Sequence, residues 1–389
     1  GGGGGGHSGT IRTMVTAPSL TSDLQAHLAL VIAEHGGWIG FDRFMALALY
    51  APGLGYYVRG DSQIGNLPVT AAGQASDFAT APGLSPLFGQ ALAVQVGEAL
   101  RRTGTHAVWE FGAGTGAMAA QLLDALGEQV QRYTIVDLSG SLQRRQRATL
   151  ARFAGKVQWA TQLPQAIRGV VVGNEVLDAM PVRLLTRTGG QWQERGVVLG
   201  LDGQLGWQDR PTESRPPIPL DGEHDYLTEI HPQAEAFVGT LVDRLAQGAV
   251  FLVDYGFAER EYYHPQRSMG TVMCHQAHRA DADPLIDVGA KDITAHVNFT
   301  GIAWAAQQAA EQAGVAADWH LLGYTSQARF LLNCGLGQML EAASLAERSM
   351  ANKLLMEHEM GELFKVIGFC RGTPWDAIGF AQGDRSQRL

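Results

Sequence analysis

The sharpest hydrophobic pattern in the chain runs over residues 107–137, AVWEFGAGTGAMAAQLLDALGEQVQRYTIVD. An apolar run, a glycine-rich turn, a stretch apolar at helical spacing and a second apolar run closed by Asp137 predict strand, turn, helix and strand. Two further β-branched runs, IRGVVVG at 167–173 and AVFLVDYG at 249–256, predict strands covered on both faces of a parallel sheet, since a one-sided sheet alternates polar and apolar positions. Asn174 and Glu175 follow the first run, and Asp254 lies at the end of the second. These are carboxyl ends of strands, the edge at which an open α/β sheet binds ligands.

Apolar residues Leu24, Leu28, Val31 and Ile32 predict a helix over residues 22–34 with Ser22 as its cap. Helical spacing recurs over 41–49, from Pro86 onward, and over 141–153, 231–245, 301–314 and 325–352. VQWA reads as a short strand, and residues 182–205 as a hairpin about Gly189 and Gly190. ADWHLLGY and LFKVIGFCRG read as two final strands forming an antiparallel edge hairpin. The polar, proline-rich GWQDRPTESRPPIPLDGEHDY reads as a loop or lobe boundary, residues 77–86 as a loop before the first core strand, and 257–300 as the least regular region. The expected class is α/β, an otherwise parallel Rossmann-like sheet closed by an antiparallel C-terminal pair, with an additional lobe from N-terminal helices and insertions. The expected division is a disordered leader or tag remnant at 1–20, a helical segment and loop at 21–105, and a core at 106–389 with insertions at about 185–230 and 257–300.

Composition narrows the chemistry. With 389 residues and 46% hydrophobic content there is material for a large core and two lobes. A net charge of -9 argues against general binding to nucleic acid, whose phosphates call for a basic surface. Arg144, Arg145, Arg147 and Arg152 read as a solvated helix face. The apolar runs are too short for a membrane span. Cys274, Cys334 and Cys370 are odd in number and far apart, so reducing surroundings and a cytoplasmic location are expected. His275, His278, Asp281, Asp283, Asp287, Asp292 and His296 match no standard ligand spacing, and no metal is expected.

Gly112, Gly114 and Gly116 follow a strand and let backbone approach a ligand closely. Their G-x-G-x-G pattern departs from the dinucleotide G-x-G-x-x-G form, and Glu110 would repel a pyrophosphate while suiting an ammonium and a sulfonium. This points to S-adenosylmethionine, with Asp137 as acceptor for the ribose hydroxyls. A nicotinamide or flavin nucleotide fits the looser G-x-G-x-x-A form, and close packing without a ligand is the plainest alternative. In NEVLDAMPV, Glu175 and Asp178 are three positions apart and suit a cationic acceptor such as a guanidinium; helix capping by Asn174 and Glu175 explains the same residues without function. A donor-binding assembly chaperone without catalysis and a small-molecule methyltransferase are further alternatives.

DFATAPGLSPLFGQALA, WEFGAGTG, IVDLS, NEVLDAMPV, FLVDYG, GTVMCHQAHRADADPLIDVGAKDITAHVNF and MGELFKVI, in this order, resemble the MidA-like family of S-adenosylmethionine-dependent methyltransferases. That family is related to the mitochondrial complex I assembly factors that methylate an arginine of a complex I subunit. The resemblance spans roughly residues 41–369 and implies a class I methyltransferase sheet with an added lobe. It implies donor binding by Glu110, Gly112, Ala113, Gly114, Gly116, Asp137, Leu138 and Asn174, and Glu175 and Asp178 as catalytic residues. It assigns Asp77, Thr80 and Pro82 to a loop before the core and, with Asp254, His275, Asp292 and His296, to the acceptor side. The implied partner is a protein substrate, a complex I subunit being one possibility. The chain departs from the family pattern at Ala113, at Gly140 after Ser139, and where NEVLDAMP stands for NEFFDALP.

Overall fold

The computed structural model describes residues 16–59, 80–137, 140–277, 279–356 and 360–389. Asp77, Leu138 and His278 therefore lie outside the described residues.

The main sheet contains β1 (Ala107–Phe111), β2 (Arg132–Val136), β3 (Val157–Ala160), β4 (Ile167–Asn174), β5 (Leu245–Phe257), β6 (Trp319–Ser326) and β7 (Phe364–Arg371). Its order is β6-β7-β5-β4-β1-β2-β3, and the short strand Val297–Asn298 pairs with the end of β5 as an eighth member. β3, β2, β1, β4 and β5 run parallel; β7 is antiparallel to both β5 and β6. The expected antiparallel pair thus exists, with β7 inserted between β5 and β6. Three helices, Gln327–Asn333, Leu336–Glu341 and Leu345–Leu355, separate the two strands, so the helical stretch expected at 325–352 with turns at glycine is interrupted at Gly335 and again at 342–344.

The continuous apolar runs have the predicted cause. Val170 and Val172 of β4 face one helical layer, which includes Pro86–Thr103 and Ala117–Leu126; Ile167 and Val171 face the other, which includes Pro232–Arg244 and Phe299–Gln312. Each of these valines is at most 1% exposed, and each burial contributes roughly 1.5–3 kcal/mol.

A second lobe is built from sequence-distant parts. Gln191–Leu199 pairs with Arg183–Thr188, Leu205–Pro211 and Ile39–Gly40, and Arg183–Thr188 also pairs with Tyr226–Ile230, giving an antiparallel five-stranded sheet. The Gly189 and Gly190 turn has φ of 57° and 77°, the left-handed values a two-residue hairpin turn needs. Helices Thr16–Glu34 and Phe41–Tyr50 pack on this sheet through Leu24, Leu28, Phe41 and Phe44 against Leu184 and Val197. Helix Thr16–Glu34 starts upstream of Ser22, so Ser22 lies inside it and caps nothing. The least regular region contains a three-stranded sheet of Met273–Gln276, Arg279–Asp281 and Asp292–Thr294, whose Cys274 and Ile293 join the same core. The stretch expected as a loop contributes the strand Leu205–Pro211, whose largely exposed residues disguise it. The segment 141–153 is helical only over Gln143–Thr149, followed by a 3-10 turn, Ala151–Phe153.

Candidate active site

β1 delivers the glycine turn to the carboxyl edge of the sheet. Gly112, Gly114 and Gly116 have φ of 64°, 55° and 89°, and the turn closes where Gly116 N–H donates to Ala113 O at 2.9 Å before helix Ala117–Leu126 begins. A Cβ at Gly114 would meet nothing within 4 Å, whereas one at Gly112 would come 3.0 Å from Val176 Cγ2. The loop is thus packed from below at Gly112 and open at Gly114. Gln146 Nε2 donates to Gly114 O at 2.9 Å and its Oε1 accepts from Trp159 Nε1 at 2.8 Å, which fixes the loop from the side.

Glu110 lies beneath this turn, 1% exposed, with Oε1 accepting from the Tyr133 hydroxyl at 2.6 Å. Burial pushes its carboxyl up to about 7, opposed by that hydrogen bond. Asp137 follows β2; its N–H donates to Ala160 O and its Oδ1 accepts from Gly140 N–H at 3.1 Å.

A second set of acids converges from β4, β5 and the lobe. Glu175 has φ of 57°, uncommon for a residue with a Cβ, and its N–H donates to Val253 O at 2.9 Å. Asp254 Oδ2 accepts from the N–H groups of Leu177 at 2.9 Å and Asp178 at 3.2 Å, holding the 3-10 turn Leu177–Ala179. Asp178 is 8% exposed and Asp254 1%. Glu175 is partly exposed, but its Oε2 is sealed from solvent without a hydrogen-bond partner, as is Asn174 Oδ1. Burial, and then repulsion from Asp254, hold Glu175 and Asp178 well above the usual carboxylate range. Burial raises Asp254 to about 7, opposed by its three backbone N–H donors. None of these three acids forms an ion pair with lysine or arginine among the described residues.

The lobe adds a fully buried Asp292, whose Oδ1 accepts from the Tyr57 hydroxyl at 2.7 Å. Ala295 N–H donates to Asp178 O at 2.9 Å, and the Tyr50 hydroxyl donates to Ala179 O at 2.9 Å, so the lobe grips the turn directly. His275 stands opposite Asp292 across the small sheet. His296 packs on Tyr255 with ring centroids 4.1 Å apart, and burial lowers its imidazole to about 3. Thr80 and Pro82 sit elsewhere: they open the short helix Ala81–Leu84, and Pro82 O accepts from Gln121 Nε2 in the helix after the glycine turn. Tyr50, Tyr57, Tyr133 and Gln146 were not singled out from the sequence; the aromatic-rich YAPGLGYYVRG was the available signal for the first two.

A family model described as that of a putative S-adenosyl-L-methionine-dependent methyltransferase matches residues 91–317. The chain belongs to this family. The methyltransferase is also similar to a crystal structure from Burkholderia thailandensis, described as a likely methyl transferase bound to S-adenosyl-homocysteine. The identity is 48%, the TM-score 0.87, and the match covers 96% of this chain and 98% of that one. Its methyl donor is S-adenosylmethionine, and the nucleotide alternative falls. Among curated relatives, protein arginine methyltransferase NDUFAF7, mitochondrial, of Homo sapiens is 26% identical over 88% of this chain and 81% of the relative. The Caenorhabditis elegans homolog is 26% identical over 73% and 71%. These mitochondrial names overturn the cytoplasmic expectation. The three cysteines are free and buried, which does not choose a compartment. No helix among the described residues is long and apolar enough to cross a membrane.

Proposed function

We propose that this methyltransferase modifies a guanidinium nitrogen of an arginine side chain in a protein, with Glu175 and Asp178 at the acceptor. The observation that carries the reading is the convergence of Glu175, Asp178 and Asp254 with no ion-paired lysine or arginine among the described residues. Mutually repelling acids in a poorly solvated site cost free energy, and a delocalised cation offsets it by pairing with carboxylates in bidentate fashion. The arginine methyltransferase names of the relatives support the same acceptor. A subunit of respiratory complex I is the proposed acceptor protein, following the family resemblance.

The open loop at Gly114 fits the donor, and Gly112, Ala113, Gly114 and Gly116 would cradle it, with Glu110 toward its cationic end, Asp137 toward the ribose and Asn174 at the edge. The donor supplies a methyl carbon already activated by sulfonium. An arginine stays protonated in water, so the acceptor nitrogen must lose a proton as its bond to carbon forms. Glu175 orients the guanidinium and takes that proton, a role suited to a carboxyl whose proton affinity burial has raised. Asp178 holds the opposite N–H groups, and Asp254 positions the turn. Asp292, His275 and His296 shape the far side, while Thr80 and Pro82 serve the acceptor path outside the acid cluster.

The test uses tritiated S-adenosylmethionine, the purified protein and extract from cells lacking its gene, followed by acid hydrolysis and chromatography. Label is expected in methylarginine, and Glu175→Gln should lower it at least about 100-fold with donor affinity retained. Label confined to another amino acid or to small molecules, or full turnover by Glu175→Gln, would overturn the proposal.

A further inference from the structure

Two tyrosines at the mouth of the acid cluster are arranged in a way that core packing does not require. Tyr50 ends helix Phe41–Tyr50 and Tyr57 lies in the 3-10 turn Tyr56–Val58. Their rings stack with centroids 5.6 Å apart and planes 18° from parallel, and Tyr56 meets Tyr57 edge-on at 5.0 Å. Both hydroxyls are anchored at the acids: Tyr57 on Asp292 Oδ1 at 2.7 Å, and Tyr50 on the carbonyl of Ala179, next to Asp178, at 2.9 Å. Tyr50 as a whole residue nevertheless remains 41% exposed. The core tyrosines Tyr133 and Tyr262 are wholly covered, ring and hydroxyl together; Tyr50 has its hydroxyl bonded while the residue stays exposed, so it is not there to fill a core. Ser141 Oγ donates to Tyr57 O at 2.5 Å, so the chain beyond β2, on the donor side, holds the same pair.

We infer that Tyr50 and Tyr57 form an aromatic wall of the acceptor site, with the guanidinium plane lying against the Tyr50 ring while its N–H groups face Glu175 and Asp178. The inference rests on the arginine reading and adds its source of selectivity. A guanidinium is planar and weakly hydrated and stacks on aromatic faces; an ammonium is a compact, strongly hydrated point charge that gains less from a flat wall. Carboxylates alone attract either cation. The wall makes the site prefer arginine to lysine.

The experiment compares wild type, Tyr50→Leu and Tyr50→Phe with tritiated S-adenosylmethionine and graded amounts of the gene-deleted extract, scoring methylarginine and methyllysine after hydrolysis. Calorimetric donor affinity and melting temperature are measured on the same samples. Wild type should yield methylarginine, and Tyr50→Leu should lose about tenfold at limiting extract and recover at saturating extract. Tyr50→Phe keeps the ring and should stay within about twofold. Donor affinity should be the same in all three. Equal methylarginine from Tyr50→Leu and wild type at limiting extract would overturn the wall and leave the arginine reading standing. Absence of methylarginine from wild type would overturn both. Parallel loss of donor affinity, melting temperature and yield in Tyr50→Leu without rescue by Tyr50→Phe would assign the ring to the fold alone and also overturn the wall.

Discussion

Asp254 Oδ2 accepts the backbone N–H of Asp178 at 3.2 Å, so one buried acid positions another. The same oxygen takes Leu177 N–H, and Asp254 Oδ1 takes Tyr255 N–H. Asp254→Ala strands these three donors, and with each buried unsatisfied group costing about 1–3 kcal/mol, a loss of at least 2 kcal/mol or so is expected in urea titrations. Asp254→Asn keeps one acceptor oxygen and removes the repulsion toward Glu175 and Asp178. It should lose clearly less stability than Asp254→Ala. Equal losses would show that the carboxylate does not hold the turn.

The proposed place of Glu110 beside the donor predicts that donor binding depends on pH. Its folded value of about 7 leaves it half protonated at neutrality. If its carboxylate serves the cationic end of the donor, affinity rises as pH rises through that value, by roughly tenfold between pH 6 and 7.5. Glu110→Gln should flatten the profile. Calorimetric Kd values across that range decide the matter, and the same slope in both proteins would remove Glu110 from donor binding.

The main sheet was legible because strands covered on both faces leave unbroken apolar runs, as in β4, and because strand ends carry the polar residues that face a ligand. Glu175 and Asp254 were singled out on that ground, and Asp178 by its spacing from Glu175, with the family resemblance pointing to the same residues. Tyr57 was not, since it meets Asp292 across 235 positions of sequence and neither neighbourhood has a regular period. The strand Leu205–Pro211 was hidden for another reason: its residues are mostly exposed, so pairing with Gln191–Leu199 leaves a polar stretch that reads as a loop. Ser22 matched a cap by residue type, yet the helix runs through it from Thr16, so residue type alone does not fix where a helix begins.

The glycine turn separates folding from binding. At Gly114 a Cβ meets open space, so Gly114→Ala bears only the cost of a left-handed φ, about 1 kcal/mol. With the donor cradled as proposed, the added methyl would enter its space, and Kd should weaken by at least about tenfold, or roughly 1.4 kcal/mol. At Gly112 the same change adds a 3.0 Å approach to Val176 Cγ2, so Gly112→Ala should be the less stable variant. Thermal melts and donor titrations on both test the contrast; unchanged affinity in Gly114→Ala would place the donor elsewhere.

Glu175 combines left-handed backbone, a sealed oxygen and repelling neighbours, so it should lower the stability of the donor-free protein. A carboxyl whose folded value is raised contributes most below its unfolded value, and that contribution is lost as pH rises through the folded value. Glu110 and Asp254, each at about 7, should together remove about 1–2 kcal/mol between pH 6.5 and 8, and Glu175 and Asp178 add in the same direction. His231 at about 4 and His296 at about 3 act oppositely, as their unfolded forms lose their remaining protons above pH 6.5, and Lys365, lowered to about 8, joins them near the top of the window; the three offset about 1 kcal/mol, so the net fall rests on Glu175 and Asp178 as well. Urea stability of the donor-free protein should therefore fall from pH 6.5 to 8. Glu175→Gln should be more stable than wild type at pH 8 by about 1 kcal/mol and have a shallower slope, while losing turnover. A variant no more stable than wild type at pH 8 would mean that the acid is already compensated in the fold, and the site would then have no electrostatic reason to select a cation.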